Sequence, residues 1–225
     1  MKLEVLMIKL ILIFLLCSLG RDFGDDKFQI ARLKYSGGGD WYANPTSLPN
    51  LLKGLKRSLK LNVHKDEIVV TAKNDSLWES PLLYATGHGN IDFDEIEAEN
   101  LRKYLLSGGF LWVDDNYGMD KYFRINLKKL FPNEKLLALS SKHPIYNSFY
   151  KLEGLPKIHE HDKKPAQGFA IYKSGRMVLF YSYSSDIGDG LEDSLVHNDP
   201  ENLRTLAKKF AINLVHYVLN ESKTE

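Results

Sequence analysis

One cysteine stands in 225 residues, Cys17, and none follows it. That excludes a disulfide framework, a thiolate-rich zinc site and any thiol chemistry in the body of the chain. A charge of one sign is also missing. Lys and Arg number 30 against 29 Asp and Glu, a formal net charge of +1, and no basic block occurs. Nucleic acid is therefore not an expected partner. No apolar run approaches the ~20 residues of a membrane span. The chain contains no dinucleotide-binding glycine fingerprint, no P-loop and no Gly-x-Ser-x-Gly elbow, so those routes to phosphate binding and serine hydrolysis have no sequence support. No internal repeat or low-complexity tract is present.

What is there begins with a leader. Lys2 and Lys9 give a positive start, Leu10 to Leu16 is uninterruptedly apolar, and Ser18-Leu19-Gly20 supplies small residues. This is the order of a secretory signal, so residues 1–20 are expected to be a signal peptide, cleaved or retained as an anchor. A lipid anchor on Cys17 is a third reading, weakened by Leu16 where such signals prefer a small residue. The expected location is periplasmic or secreted, with membrane contact only through an uncleaved or lipidated N-terminus. Residues 21–225 suit a single domain. A hydrophobic content of 44% can build a core without disulfides.

Within that domain, Phe28 to Tyr35, Ile68 to Val70, Pro81 to Thr86 and Phe110 to Val113 read as strands. Phe169 to Tyr172 and Met177 to Tyr183 read as a hairpin turning at Ser174-Gly175. Between them lie helical patterns. One starts at Thr46 or Ser47 with a stripe of Leu48, Leu51, Leu52, Leu55 and Leu59. Others cover Asp94 to Leu106, Asp120 to Leu130 and Glu201 to Leu219. Ser140 to Ala166 reads as irregular. Short apolar strands alternating with amphipathic helices predict an α/β three-layer sandwich around a mostly parallel sheet.

Ligands of such sheets bind beyond the carboxyl ends of the strands, and the unusual residues gather there. The first strand leads into Gly37, Gly38 and Gly39, then Asp40, Trp41 and Tyr42. The glycines could bring backbone N–H groups to an anion, or serve a turn with positive φ. The two aromatics could stack on a sugar ring or cover the edge of the core. A later strand leads to His88 between two glycines, a possible base, or a histidine bonded across its loop. The next leads to Asp114, Asp115 and Asn116. Adjacent aspartates point to opposite faces, so one carboxylate is expected to face the cleft and the other to cap structure. The last long strand leads to Ser184, Ser185 and Asp186. His159 and His161, two apart, could share a face as metal ligands, but spacing fixes no third ligand, so no metal is assigned. Asp186 to Gly190 lacks the alternating acids of a calcium loop and reads as a tight turn.

Several segments together resemble one family. They are Arg32-Leu33-Lys34-Tyr35 with Gly37 to Tyr42, Leu48-Pro49-Asn50-Leu51-Leu52, Thr86-Gly87-His88-Gly89, Leu101 to Leu105 with Gly108-Gly109-Phe110, Asp114-Asp115, Phe131-Pro132, His143-Pro144-Ile145-Tyr146, and Tyr181-Ser182-Tyr183 with Asp186-Ile187-Gly188. The chain resembles, from Phe28 to Leu219, the bacterial family known as domain of unknown function 4159. That family is similar in fold to the class I glutamine amidotransferase-like superfamily, a flavodoxin-like sandwich. His143-Pro144-Ile145 with Gly154-Leu155-Pro156 is also similar to trehalose-utilisation-type proteins of that superfamily. The resemblance implies a fold and not an activity. Catalytic amidotransferases carry a cysteine nucleophile on a turn after a central strand. Here the comparable place holds Asp114-Asp115-Asn116.

Two functions compete, with a structural role inside an envelope complex as a third. The first is an exported, non-amidotransferase binding domain of the cell envelope. It would take a small molecule, glycan or envelope protein at a rim of Gly38, Gly39, Asp40, Trp41, Tyr42, His88, Asn116 and Asp186, with no cofactor. The second is a hydrolase, metal-assisted or not, using Asp114 or Asp115 with His88.

Overall fold

The computed structural model describes residues 27–221. The signal peptide expected over residues 1–20 lies outside them. Seven strands form one sheet: β1 (Ile30–Leu33), β2 (Ile68–Val70), β3 (Leu82–His88), β4 (Phe110–Tyr117), β5 (Leu137–Ala138), β6 (Gln167–Lys173) and β7 (Arg176–Tyr183). Their order is β2-β1-β3-β4-β7-β6-β5. The first five strands of that order are parallel, and β6 and β5 close one edge antiparallel. The chain leaves β1 for one neighbour, β2, and returns on the other side of it as β3. That reversal is the place where open α/β sheets form a crevice.

Helices cover both faces. α1 (Ser47–Ser58), the short α4 (Ile187–Leu191) and α5 (Glu201–Glu221) lie on one. α2 (Glu95–Leu106) and α3 (Asp120–Leu130) lie on the other. Strand alternation decides which side chain meets which layer. Leu82, Tyr84, Phe110, Trp112 and Phe180 pack under α1 and α5. Leu83, Ala85, Leu111, Val113 and Tyr181 pack under α2 and α3. Local chemistry agrees with this plan. α2 opens on a reciprocal capping box, in which Asp94 accepts from the Glu97 N–H at 2.9 Å and Glu97 from the Asp94 N–H at 3.0 Å. Leu48, Leu51, Leu52 and Leu55 are the buried stripe of α1.

Several boundaries differ from the sequence reading: β1 is confined to Ile30–Leu33 where Phe28 to Tyr35 was expected, and β5 has no counterpart in that reading. β3 continues to His88 and β4 to Tyr117, so Asp114, Asp115 and Asn116 lie within a strand and not on a turn after it. The pairing of Thr86 with Asp114 and Gly87 with Asp115 carries the ladder through this polar stretch. Asp186 to Gly190 is not a bare turn. Asp186 takes a left-handed conformation (φ 64°, ψ 49°) and leads into α4. The irregular segment contains one 3₁₀ turn at Pro144–Tyr146.

Candidate functional site

At the carboxyl ends of β1, β3, β4 and β7 four histidines each meet an aspartate. The first pair joins the β1 and β3 loops. His88 Nδ1 lies 3.0 Å from Asp40 Oδ2, and the His88 backbone N–H donates to Asp40 Oδ1. The glycine run makes this approach possible. A Cβ on Gly39 would come within 2.7 Å of the carbonyl oxygens of both His88 and Asn90, closer than side chains tolerate. The loop after Asp40 is held from below by Arg32, which is buried. Its guanidinium donates to the carbonyls of Ala43 at 2.7 Å and Asn44 at 3.0 Å and pairs with Glu67 at 3.2 Å. The glycines therefore serve positive-φ turns at Gly37 and Gly38 and a close backbone contact at Gly39.

The second pair joins the irregular segment to β7. His161 Nε2 lies 2.9 Å from Asp186 Oδ2. The segment before it is docked on the end of β7 by the Ile158 N–H on the Ser185 carbonyl at 2.9 Å, Ser185 Oγ on the Pro156 carbonyl at 2.6 Å, and Lys157 Nζ on Ser184 Oγ at 2.8 Å. His161 stacks on Tyr117, ring centroids 4.9 Å apart, and meets His88 edge-on at 6.3 Å. Two outer pairs complete the group, His159 with Asp199 at 3.4 Å and His197 with Asp189 at 3.5 Å. His159 and His161 thus face different carboxylates. Among the described residues no group of three or more histidines, cysteines or acids is placed to hold one metal ion.

The acids of β4 are occupied differently. Asp114 is fully buried and accepts from Ser182 Oγ, Tyr84 Oη at 3.2 Å, the Gly188 N–H at 2.7 Å and the Ile187 N–H at 3.4 Å. It ties the start of α4 to the sheet. Burial pushes its carboxyl up to about 6, against the lowering effect of those hydrogen bonds. Asp115 points to the other face and accepts from the Met119 N–H at 3.0 Å and Tyr181 Oη at 3.1 Å. Asn116 accepts from Thr86 Oγ1 at 2.6 Å and donates to Asp189 at 3.2 Å. Asp186 is buried beside Asp189 and Asp114. Desolvation, then those two negative neighbours, push its carboxyl far above the usual range. Its Oδ1 is buried without a hydrogen-bond partner. Burial lowers the basicity of His161.

The model of the family described as domain of unknown function DUF4159 matches residues 29–219. The chain belongs to this family. No curated protein matches the chain. The family supplies no activity, so the site must be read from its chemistry.

Seen that way, the DUF4159 rim brings together Asp40, His88, Asn116 and Asp186, as the sequence reading grouped them. It sets Asp114 apart, buried behind them, with no bond to His88. Trp41 is half-buried with Lys34 Nζ 5.3 Å from its ring centre, while Tyr42 is 64% exposed. What sequence reasoning missed is the place of His161 and His197. The only signals were the His159-x-His161 spacing and the Asp186-x-x-Asp189 spacing, and neither says which histidine meets which acid. Beside this group opens a cleft of about 270 Å³, lined among others by Asn116, Tyr117, Lys121, His161, Lys164 and Tyr183.

Proposed function

We propose that this domain binds a small anionic glycan fragment at the strand-end rim, as a non-amidotransferase module of the cell envelope outside the cytoplasm. The observation that carries the reading is the cleft. Two tyrosines, Tyr117 and Tyr183, and His161 line it with Lys121 and Lys164, together with the carboxylates Asp115, Asp120 and Asp162, of which Asp115 and Asp120 are engaged by Tyr181 and Arg124 and Asp162 by Lys164. Lys121 adds an ammonium that, among the described residues, forms no ion pair and lies 5.7 Å from the Tyr122 ring centre, so its charge is available to an anion. Lys164, by contrast, is already paired with Asp162 at 2.7 Å. A few converging polar groups with aromatic faces form the usual lining of a small-ligand site. The leader and the absence of cysteine after Cys17 support location and the exclusion of amidotransferase chemistry.

Calorimetric titration with glucose 1-phosphate and glucuronate tests the reading. Saturable binding that weakens about tenfold in Lys121→Ala, in line with the ~1.5–3 kcal/mol of a charged hydrogen bond, is the expected result. Absence of binding to both compounds, or equal binding in the variant, refutes it.

A further inference from the structure

We propose that the His88–Asp40 and His161–Asp186 pairs form a general base and a general acid that hydrolyse a phosphodiester reaching from the cleft, which His161 lines, to the neighbouring His88 ring outside that lining. The proposal rests on the binding reading above, since the cleft must first hold the anionic ligand, and it adds an activity to it.

The argument begins with tautomers. Asp40 uses both oxygens on His88, one on the backbone N–H and one on Nδ1. A carboxylate there holds the Nδ1–H form and turns Nε2, with its lone pair, outward. This is how a carboxylate orients a histidine base. His88 is 48% exposed at its side chain, so Nε2 is reachable. His161 is the opposite case. Its inner partner, Asp186, is only 1% exposed and crowded by Asp189 and Asp114. Three carboxyls in one dry place cannot all ionise. A neutral Asp186 donates from Oδ2 to Nε2 and leaves the proton of His161 on Nδ1, the nitrogen not engaged by Asp186, on a ring that lines the cleft. The two rings meet at right angles with centroids 6.3 Å apart. One bond of a bound ester can therefore lie within reach of both outward nitrogens. The left-handed backbone of Asp186, φ 64°, is held by the burial around it. Non-glycine residues in that conformation concentrate at functional sites.

The step balances. His88 Nε2 takes a proton from water as the water oxygen bonds to phosphorus. The phosphorus–oxygen bond to the leaving group breaks. The leaving oxygen takes the proton from His161 Nδ1, and Nε2 takes the Asp186 proton. One monoester and one alcohol result. The proton on His88 returns through solvent to restore Asp186. His88 and His161 are the catalytic residues; Asp40 and Asp186 position them. The groups facing the pair are Asp115 beside His88, and His159, Lys157 and Asp189 beside His161.

The test uses the purified full chain in EDTA, which keeps adventitious metal out of the assay. The probes are methyl 4-nitrophenyl phosphate and methyl phenyl phosphate. Turnover of both is expected. His88→Gln should lower kcat on both esters by 10²–10⁴-fold, the range of general base catalysis. His161→Gln should lower it far more on the phenyl ester, whose leaving group needs a proton, than on the nitrophenyl ester. Asp186→Asn, which keeps a donor, should retain more activity than Asp186→Ala. Thermal melts of each variant establish that it is folded. No turnover of either probe overturns the proposal, as does an equal loss on the two esters in His161→Gln. If glucose 1-phosphate still binds when turnover is absent, catalysis alone fails and the binding reading stands. Loss of both ends both.

Discussion

Replacing Asp114 by Asn should remove a fall in stability that the native protein suffers as pH rises from 4 to 7. Burial pushes this carboxyl up to about 6 in the folded chain, against 3.8 for the ordinary group. Between those values the folded state keeps a proton that the unfolded chain has released. Stability therefore declines through that window and the loss is complete above it. Two units at ~1.4 kcal/mol each make about 3 kcal/mol. Asn cannot titrate, so this contribution vanishes. It also offers one acceptor oxygen where Asp114 serves four donors. A buried donor left unmet costs roughly 1–3 kcal/mol, so the variant should be the less stable at pH 4. Its deficit should then shrink by about 3 kcal/mol by pH 7. Removing the charge also relieves Asp186, which Asp114 repels, and this acts in the same direction. Urea unfolding at pH 4, 5, 6 and 7, read as the difference between the two proteins, cancels the carboxylates common to both. A difference that stays constant with pH, or widens as pH rises, refutes the burial argument for Asp114.

Two further substitutions probe the layers that position the rim. Trp112→Ala removes a fully buried indole that packs on Tyr84 and donates to Ser182 Oγ at 2.9 Å, and should cost about 3–5 kcal/mol in urea unfolding. Gly188→Ala places a Cβ 2.3 Å from Asn44 Nδ2 and 2.8 Å from Tyr84 Oη. It should destabilise by ~1–3 kcal/mol through overpacking and weaken glucose 1-phosphate binding by disturbing α4.

The layers were legible because period alone sets them. The leucines of α1 and the alternation in Phe110 to Val113 assign each side chain to a face without any tertiary knowledge. The ends of β3 and β4 were not legible. Thr86 to His88 and Asp114 to Tyr117 are too polar to read as buried strand. They extend the ladder only because α4, Tyr181 and each other's side chains satisfy them. Such partners come from 30 to 74 residues away, and no local pattern announces them. The opposite facing of Asp114 and Asp115 was legible, since adjacent residues on a strand must diverge. His161 was placed by three hydrogen bonds between an irregular segment and the end of β7, which no periodicity encodes.

The distribution of charge across the rim separates support from working surface. The carboxylates at the strand ends, Asp114 and Asp115, are turned inward and spend their oxygens on backbone N–H and hydroxyl groups. They hold α4 and the turn before α3, so the polar strand ends serve as foundations. The histidines lie one layer further out, each steadied from behind by a different aspartate. Those four aspartates come from three places in the chain, the β1 loop, the start of α4 and the segment before α5, so the histidine group is complete only when those segments are all docked. A chain without a thiol in its body thus presents imidazole at the crevice where related architectures bind ligands. His88 and His161 are the more exposed members of their pairs, 48% against 33% for Asp40 and 26% against 1% for Asp186, so imidazole rather than carboxylate is what these pairs show to solvent.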